Sequence, residues 1–181
     1  MSHNLSSAYT AWEAGYRVVR HTAETKDRIS KLAERLLESG QVIDLEAYYR
    51  VLAAADRLTC AAMWTVVHMT YARRVDFSGA PLPAEAFKAT PEGHTGGSLN
   101  MVPAFIGYLA ANAISATTRS WLMGQGHCVA AIEAVNALTG DVSDAQKGRY
   151  DRSEKGLSQL AADFYSYAID AEGRPAVPLG S

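Results

Sequence analysis

Apolar residues recur with a helical period in the first third of the chain. Ile29, Leu32, Ala33, Leu36 and Leu37 follow the i, i+3, i+4, i+7, i+8 spacing of one stripe, which predicts an amphipathic helix stopped by Gly40. Asp44 stands where an N-cap belongs, and no glycine or proline interrupts Leu45 through Arg74. One long helix is therefore expected from Leu45 to near Arg73. Leu45, Tyr49, Leu52, Ala55, Leu58, Ala62, Val66 and Met69 mark its buried side. The second half is apolar on most sides, the pattern of a helix central to a larger body.

The character changes at Val75, where Pro81, Pro83, Pro91, Gly79, Gly93, Gly96 and Gly97 break regular structure as far as residue 97. LNMVPAFIGYLAANAI, residues 99–114, then reads as a buried helix with Pro103 near its first turn. Arg119 to Met123 reads as a short strand, followed by Gly124-Gln125-Gly126-His127 and the helical CVAAIEAVNAL. Strand, glycine turn and helix make half of an α/β unit. Ser143 and Gln146 have capping-box spacing for a short helix. Leu157, Leu160, Ala161, Phe164, Tyr165 and Ala168 form a last amphipathic face opened by Ser153, and the tail is irregular. No internal repeat is present. With a single strand, the chain reads as a helix-rich part of an α/β domain that is incomplete.

Charge narrows the partners. Seventeen Lys and Arg against nineteen Asp and Glu give −2 over 181 residues, with nothing basic clustered, so the chain carries no electrostatic footprint for nucleic acid or an anionic membrane. The longest charge-free apolar run, Leu58 to Ala72, is 15 residues. That is short of the ~20 that span a bilayer. The first twenty residues lack the continuous apolar segment of a secretory leader. Cys60 and Cys128 fit no CxxC pattern, and no histidine pair has the i, i+4 spacing of a zinc helix, so no metal site is expected from this chain. A reducing cytoplasm is the expected compartment.

Two glycine turns each carry a histidine: Glu92-Gly93-His94-Thr95-Gly96-Gly97 and Gly124-Gln125-Gly126-His127. Glycine lets backbone approach a ligand, and a helix N-terminus favours an anion. A histidine placed there can transfer protons near neutral pH. The turn at 124 lacks the third glycine of the dinucleotide fingerprint, because Val129 holds that place. His68, inside the apolar helix, reads as a satisfied core residue, while His3 and His21 read as exposed. Cys128 reads as packing rather than as a reactive thiol. Tyr48, Tyr49 and Trp64 read as core or interface aromatics.

The order YYRVLAAADRLTCAAM (48–63), EGHTGGSLNMVPAFIGYL (92–109) and WLMGQGHCVAAIEAVNALTG (121–140) resembles the amino-terminal region of thiamine-diphosphate-dependent phosphoketolases. GLSQLAADFYSYAIDAEGRPAVPLGS (156–181) resembles that family's next stretch, so the similarity covers residues 44 to 181. The resemblance implies the helix-rich amino-terminal part of a transketolase-like α/β cofactor domain over 44–181, with residues 1–43 as a helical extension. It implies thiamine diphosphate with Mg²⁺, a homodimer or higher homo-oligomer, and metal ligands outside this chain. The implied reaction cleaves xylulose 5-phosphate or fructose 6-phosphate with inorganic phosphate, giving acetyl phosphate and an aldose phosphate. His94 and His127 take the positions of active-site histidines, and Gly93, Gly124 and Gly126 those of the turns beside the cofactor. The turn Gly124-Gln125-Gly126-His127-Cys128-Val129 departs from the family, which has proline after the first glycine and two glycines after the histidine. The metal-diphosphate stretch and the pyrimidine domain are not in the chain, so it reads as the front end of a larger enzyme. Two alternatives stand beside this reading. One is a non-catalytic helical interaction module; the other is a relative with epimerase- or transketolase-like sugar-phosphate chemistry.

Overall fold

The structure, a computed structural model, describes residues 7–179. Its elements in chain order are α1 (Ser7–Glu13), α2 (Ala23–Glu38), α3 (Leu45–Tyr71), a 3₁₀ turn (Ala84–Ala86), α4 (Thr95–Ser115), a second 3₁₀ turn (Gly126–Cys128), α5 (Val129–Thr139) and α6 (Glu154–Asp163). The chain is helix-rich, with almost no strand. Extended pairing among the described residues is limited to the isolated bridges Tyr16–Val19, Ala72–Phe87 and Ile169–Pro175. No helix among them is long and apolar enough to cross a membrane. The chain divides into two compact units, Met1–Cys60 with Ala104–Leu122, and Ala61–Pro103 with Met123–Ser181.

The first unit is built on aromatic packing. Trp12, Tyr48 and Tyr49 are buried with Ala8, Ala33 and Val42, and Tyr9, Ile29, Leu36, Leu45 and Leu52 pack against them. Tyr49 meets Tyr9 edge-on at 4.9 Å between centroids and Tyr48 at 5.1 Å. Such pairs add about 0.5–1.5 kcal/mol each beyond the area they bury. Thr22 caps α2 by accepting the Thr25 N–H, and Asp44 caps α3 by accepting the N–H groups of Glu46 and Ala47. Both helices therefore start where polar side chains replace the missing carbonyl partners.

The strand expected over Arg119–Met123 does not form. Its peptide groups are taken by side chains of α4. Asn112 accepts the Arg119 N–H and donates to the Arg119 carbonyl, while the Tyr108 hydroxyl donates to the Ser120 carbonyl. A strand needs a ladder partner for those groups, and here the helix supplies local substitutes. Leu122, within the expected strand, is 95 % exposed.

The second unit buries Val66, Met69, Val102, Ala131, Ala134, Val135, Leu160 and Phe164. Three sequence expectations change here. α4 begins at Thr95 rather than at 99, which makes Pro103 the ninth residue of the helix instead of one in its first turn. The Ser143–Gln146 spacing gives only half a capping box: Gln146 Oε1 accepts both the N–H and the hydroxyl of Ser143, and its amide donates to Glu133. The Gln146 N–H donates to the Ser143 carbonyl instead of to its hydroxyl, and residues 144–149 form turns and no α-helix. α6 stops at Asp163 instead of continuing to Ala168, because Phe164 turns extended and Tyr165 and Tyr167 take positive φ of 53° and 50°. Ser153 does cap it, accepting the Gly156 N–H at 3.0 Å.

The end of α6 is anchored by one carboxylate. Asp163 Oδ2 accepts from Arg149 Nε at 2.7 Å and from the Tyr150 hydroxyl at 2.8 Å, while Oδ1 accepts from Gln159 at 2.8 Å. Burial and the Asp163 hydrogen bond push the Tyr150 hydroxyl well above the ordinary phenol range. The loop after α3 is tied to the same helix, through Val75 N–H to Ser158 and Phe77 N–H to Glu154.

Candidate functional site

The two glycine-turn histidines, far apart in sequence, meet in the second unit. Their rings contact edge to face, with centroids 4.6 Å apart and planes inclined at 67°, and both side chains are exposed. His94 sits just before α4. Its Nδ1 accepts the Gly97 N–H at 3.0 Å and its carbonyl accepts the Ser98 N–H at 3.0 Å, so it caps the helix with a ring nitrogen. An Nδ1 that accepts an N–H carries no proton, which fixes the neutral ring as the Nε2–H tautomer. His127 sits in the 3₁₀ turn that leads into α5.

Glycine is required at two places around this pair. Gly93 has φ +105°, and a Cβ there would lie 3.0 Å from Phe164 Cε1 and 3.3 Å from Tyr165 Cε2. At Gly97 a Cβ would lie 2.7 Å from His94 Nδ1, 3.0 Å from Cys128 Sγ and 3.2 Å from His127 Cδ2. The imidazoles and the buried thiol close over the space this glycine leaves empty. Gly124 and Gly126 differ: neither has positive φ, and a Cβ at either would meet nothing within 4 Å. Their backbone lies open, with no internal steric demand for glycine.

Residues that sequence reasoning passed over surround the first turn. Tyr167 donates its hydroxyl to Glu92, beside Gly93, and that bond raises the Tyr167 pKa. Lys88 Nζ donates to the carbonyls of Met69 at 2.6 Å and Phe164 at 2.7 Å. Burial, and next the Arg73 charge, lower its pKa to about 8, with Glu92 opposing. The sequence held no signal for the positive-φ tyrosines, whereas the doubled glycine Gly96-Gly97 was a visible one.

The remaining histidines fall elsewhere. His68 is half-buried rather than core; its Nδ1–H donates to the Trp64 carbonyl at 2.8 Å and its ring lies 4.0 Å from the Trp64 ring. His21, expected to be exposed, is held in the first unit: its side chain is 11 % accessible, its Nε2 lies 2.8 Å from Asp56 Oδ2, and it stacks on Trp12 at 4.8 Å. The signal missed was the partner, an aspartate on α3 thirty-five residues away. His3 lies outside the described residues. Cys60 and Cys128 are both free thiols and buried. Among the described residues no group of three or more His, Cys, Asp or Glu side chains could hold a metal ion.

Compared with family models, with curated proteins and with solved structures, the chain finds no match in any of the three.

Proposed function

We propose that His94 and His127 are the proton-handling pair of a phosphoketolase-type, thiamine-diphosphate-dependent site acting on ketose phosphates. On this reading 44–181 is the helix-rich front of an α/β cofactor domain, 1–43 its extension, and the working enzyme a cytoplasmic homo-oligomer. The observation that carries it is the meeting of the two glycine-turn histidines, ring against ring and exposed, which the resemblance singles out in the same order. Two imidazoles in contact, one with its tautomer fixed by a backbone N–H, can share the hydroxyl and carbonyl oxygens of one sugar substrate.

The cofactor, when bound, would supply the carbon–carbon bond cleavage. Among the described residues no group of three or more His, Cys, Asp or Glu side chains could hold its magnesium. What these residues offer is the substrate side: a donor at His94 Nε2, a second imidazole beside it, and the open backbone at Gly124 and Gly126.

His94 capping α4 favours a second reading, in which it is only structural within a helical interaction module. Asparagine separates the two, because it is among the best N-caps yet has no imidazole and no group that titrates near neutrality. The protein in its full encoded length should be assayed with xylulose 5-phosphate or fructose 6-phosphate, inorganic phosphate, thiamine diphosphate and Mg²⁺. Acetyl phosphate is read as its hydroxamate, and epimer formation is followed in parallel. His94→Asn and His127→Asn should each lower kcat by about 100-fold or more at unchanged circular dichroism. Near-normal turnover in both variants, or no conversion of either sugar by the parent protein, refutes the proposal.

A further inference from the structure

We infer that Lys88 is a positioning residue for His94, acting through Phe164 and the turn at Gly93. The last turn of α3 leaves the Met69 carbonyl without a helical donor, since the Arg73 N–H that would meet it donates to Ala86 at 2.7 Å instead. The Phe164 carbonyl lies just past the end of α6. Lys88 closes both at once, one ammonium on the negative ends of two helices, and its Nζ lies 5.6 Å from the centre of the Phe164 ring. Phe164 is 1 % exposed and has no room to retreat.

Its ring, with that of Tyr165, then forms the wall that a Cβ at Gly93 would meet, and Gly93 leads directly into His94. Tyr165 and Tyr167 hold left-handed backbone that tyrosine rarely adopts, and Tyr167 binds Glu92 on the other side of Gly93. Strained backbone of this kind persists only where its surroundings over-determine it. The segment 164–167 is therefore a strap behind the histidine turn, and Lys88 is its fastening. The His94 ring's hydrogen bond is to Gly97 and its ring contact is with His127, so the clamp acts on where that ring stands against His127.

The inference rests on the proposed function only for its effect on turnover; its geometric part is testable alone. In the full chain with ¹³C-labelled histidine, the His94–His127 inter-ring nuclear Overhauser effect reports the pair directly. Lys88→Met should weaken it at least about twofold at unchanged circular dichroism, with the His21 and His68 signals in place, and Lys88→Arg should restore it. Turnover should follow, falling by up to about 100-fold in Lys88→Met and recovering in Lys88→Arg, since ångström misplacement of a catalytic group costs that much. If Lys88→Met does not fold, Lys88→Gln, which keeps one donor group without charge, is read the same way. An unchanged inter-ring effect in a folded Met or Gln variant overturns the inference. Loss of that effect in the Lys88 variants, with full turnover in His94→Asn, would keep the clamp and remove the catalytic reading instead.

Discussion

Gly96 and Gly97 are neighbours in the first turn of α4, and replacing each with alanine should have opposite effects. A Cβ at Gly96 meets nothing within 4 Å, so Gly96→Ala should stabilise by up to ~1 kcal/mol, the helix preference of alanine over glycine. At Gly97 the same preference works against three close contacts, at 2.7 Å to His94 Nδ1, 3.0 Å to Cys128 Sγ and 3.2 Å to His127 Cδ2. The exposed His94 ring can swing aside, but doing so breaks the Gly97 N–H···Nδ1 bond, a loss of ~1 kcal/mol. Cys128 is 3 % exposed and cannot move away cheaply, and overpacking of this kind costs about 1–3 kcal/mol. Subtracting the helix gain leaves Gly97→Ala destabilised by about 1–3 kcal/mol. For a chain of this length each kcal/mol moves Tm by about 2–4 °C, so the two variants should separate by several degrees in thermal and urea unfolding. If Gly97→Ala unfolds with Gly96→Ala, the three side chains do not close over Gly97 and the site geometry is wrong.

Two further outcomes follow from the charged groups. His21→Ala should destabilise at pH 7 by about 1–3 kcal/mol, because it strands the buried Asp56 carboxylate, whose pKa burial already raises against the lowering by His21. That deficit should shrink as pH falls and Asp56 becomes neutral; a deficit constant from pH 7 to pH 4 would count against the pair. Lys88 should make stability rise with alkalinity: its folded pKa of about 8 lies below the unfolded 10.5, so between those values the unfolded chain holds the extra proton. Linkage bounds the gain at ~3 kcal/mol across that window, and Lys88→Met should flatten the slope in urea titrations at pH 7.5, 9 and 10.

Much of the helical framework was legible because its signals are local. The apolar stripe from Ile29 to Leu37, the Asp44 cap and the unbroken run after Leu45 each act over a few residues, and α2 and α3 follow them. The errors arose where a distant group competed. Arg119–Met123 had the composition of a strand, but Asn112 and Tyr108 reached its peptide groups first. Gln146 had the spacing of a capping box, but its N–H went to the Ser143 carbonyl while Glu133 held its amide. Nothing near His21 in sequence announced its partners, yet Asp56 and Trp12 pack against it. The same division runs through the candidate site: both histidines could be named from their glycine turns, while Lys88 and the strap of Phe164, Tyr165 and Tyr167 depend on contacts more than seventy residues apart in sequence.

Capping at His94 is compatible with the role proposed for it when that role is to donate a hydrogen bond to substrate, because the two use different nitrogens. Nδ1 is occupied by the Gly97 N–H, and that bond puts the ring proton on Nε2. A histidine free to choose its tautomer would present a donor at either nitrogen; this one presents it at a single atom, at a position set by the start of α4. Gly97 supplies both parts of that arrangement, donating its N–H to the ring and lacking the Cβ that would push the ring off. The helix start thus does for His94 what a carboxylate does for many catalytic histidines, holding one nitrogen so that the other is available. His94→Asn keeps the cap and removes the imidazole with its Nε2–H, whereas Gly97→Ala disturbs the cap and keeps the imidazole. Loss of turnover in the first at full stability, and loss of stability in the second, would separate the two roles of one side chain.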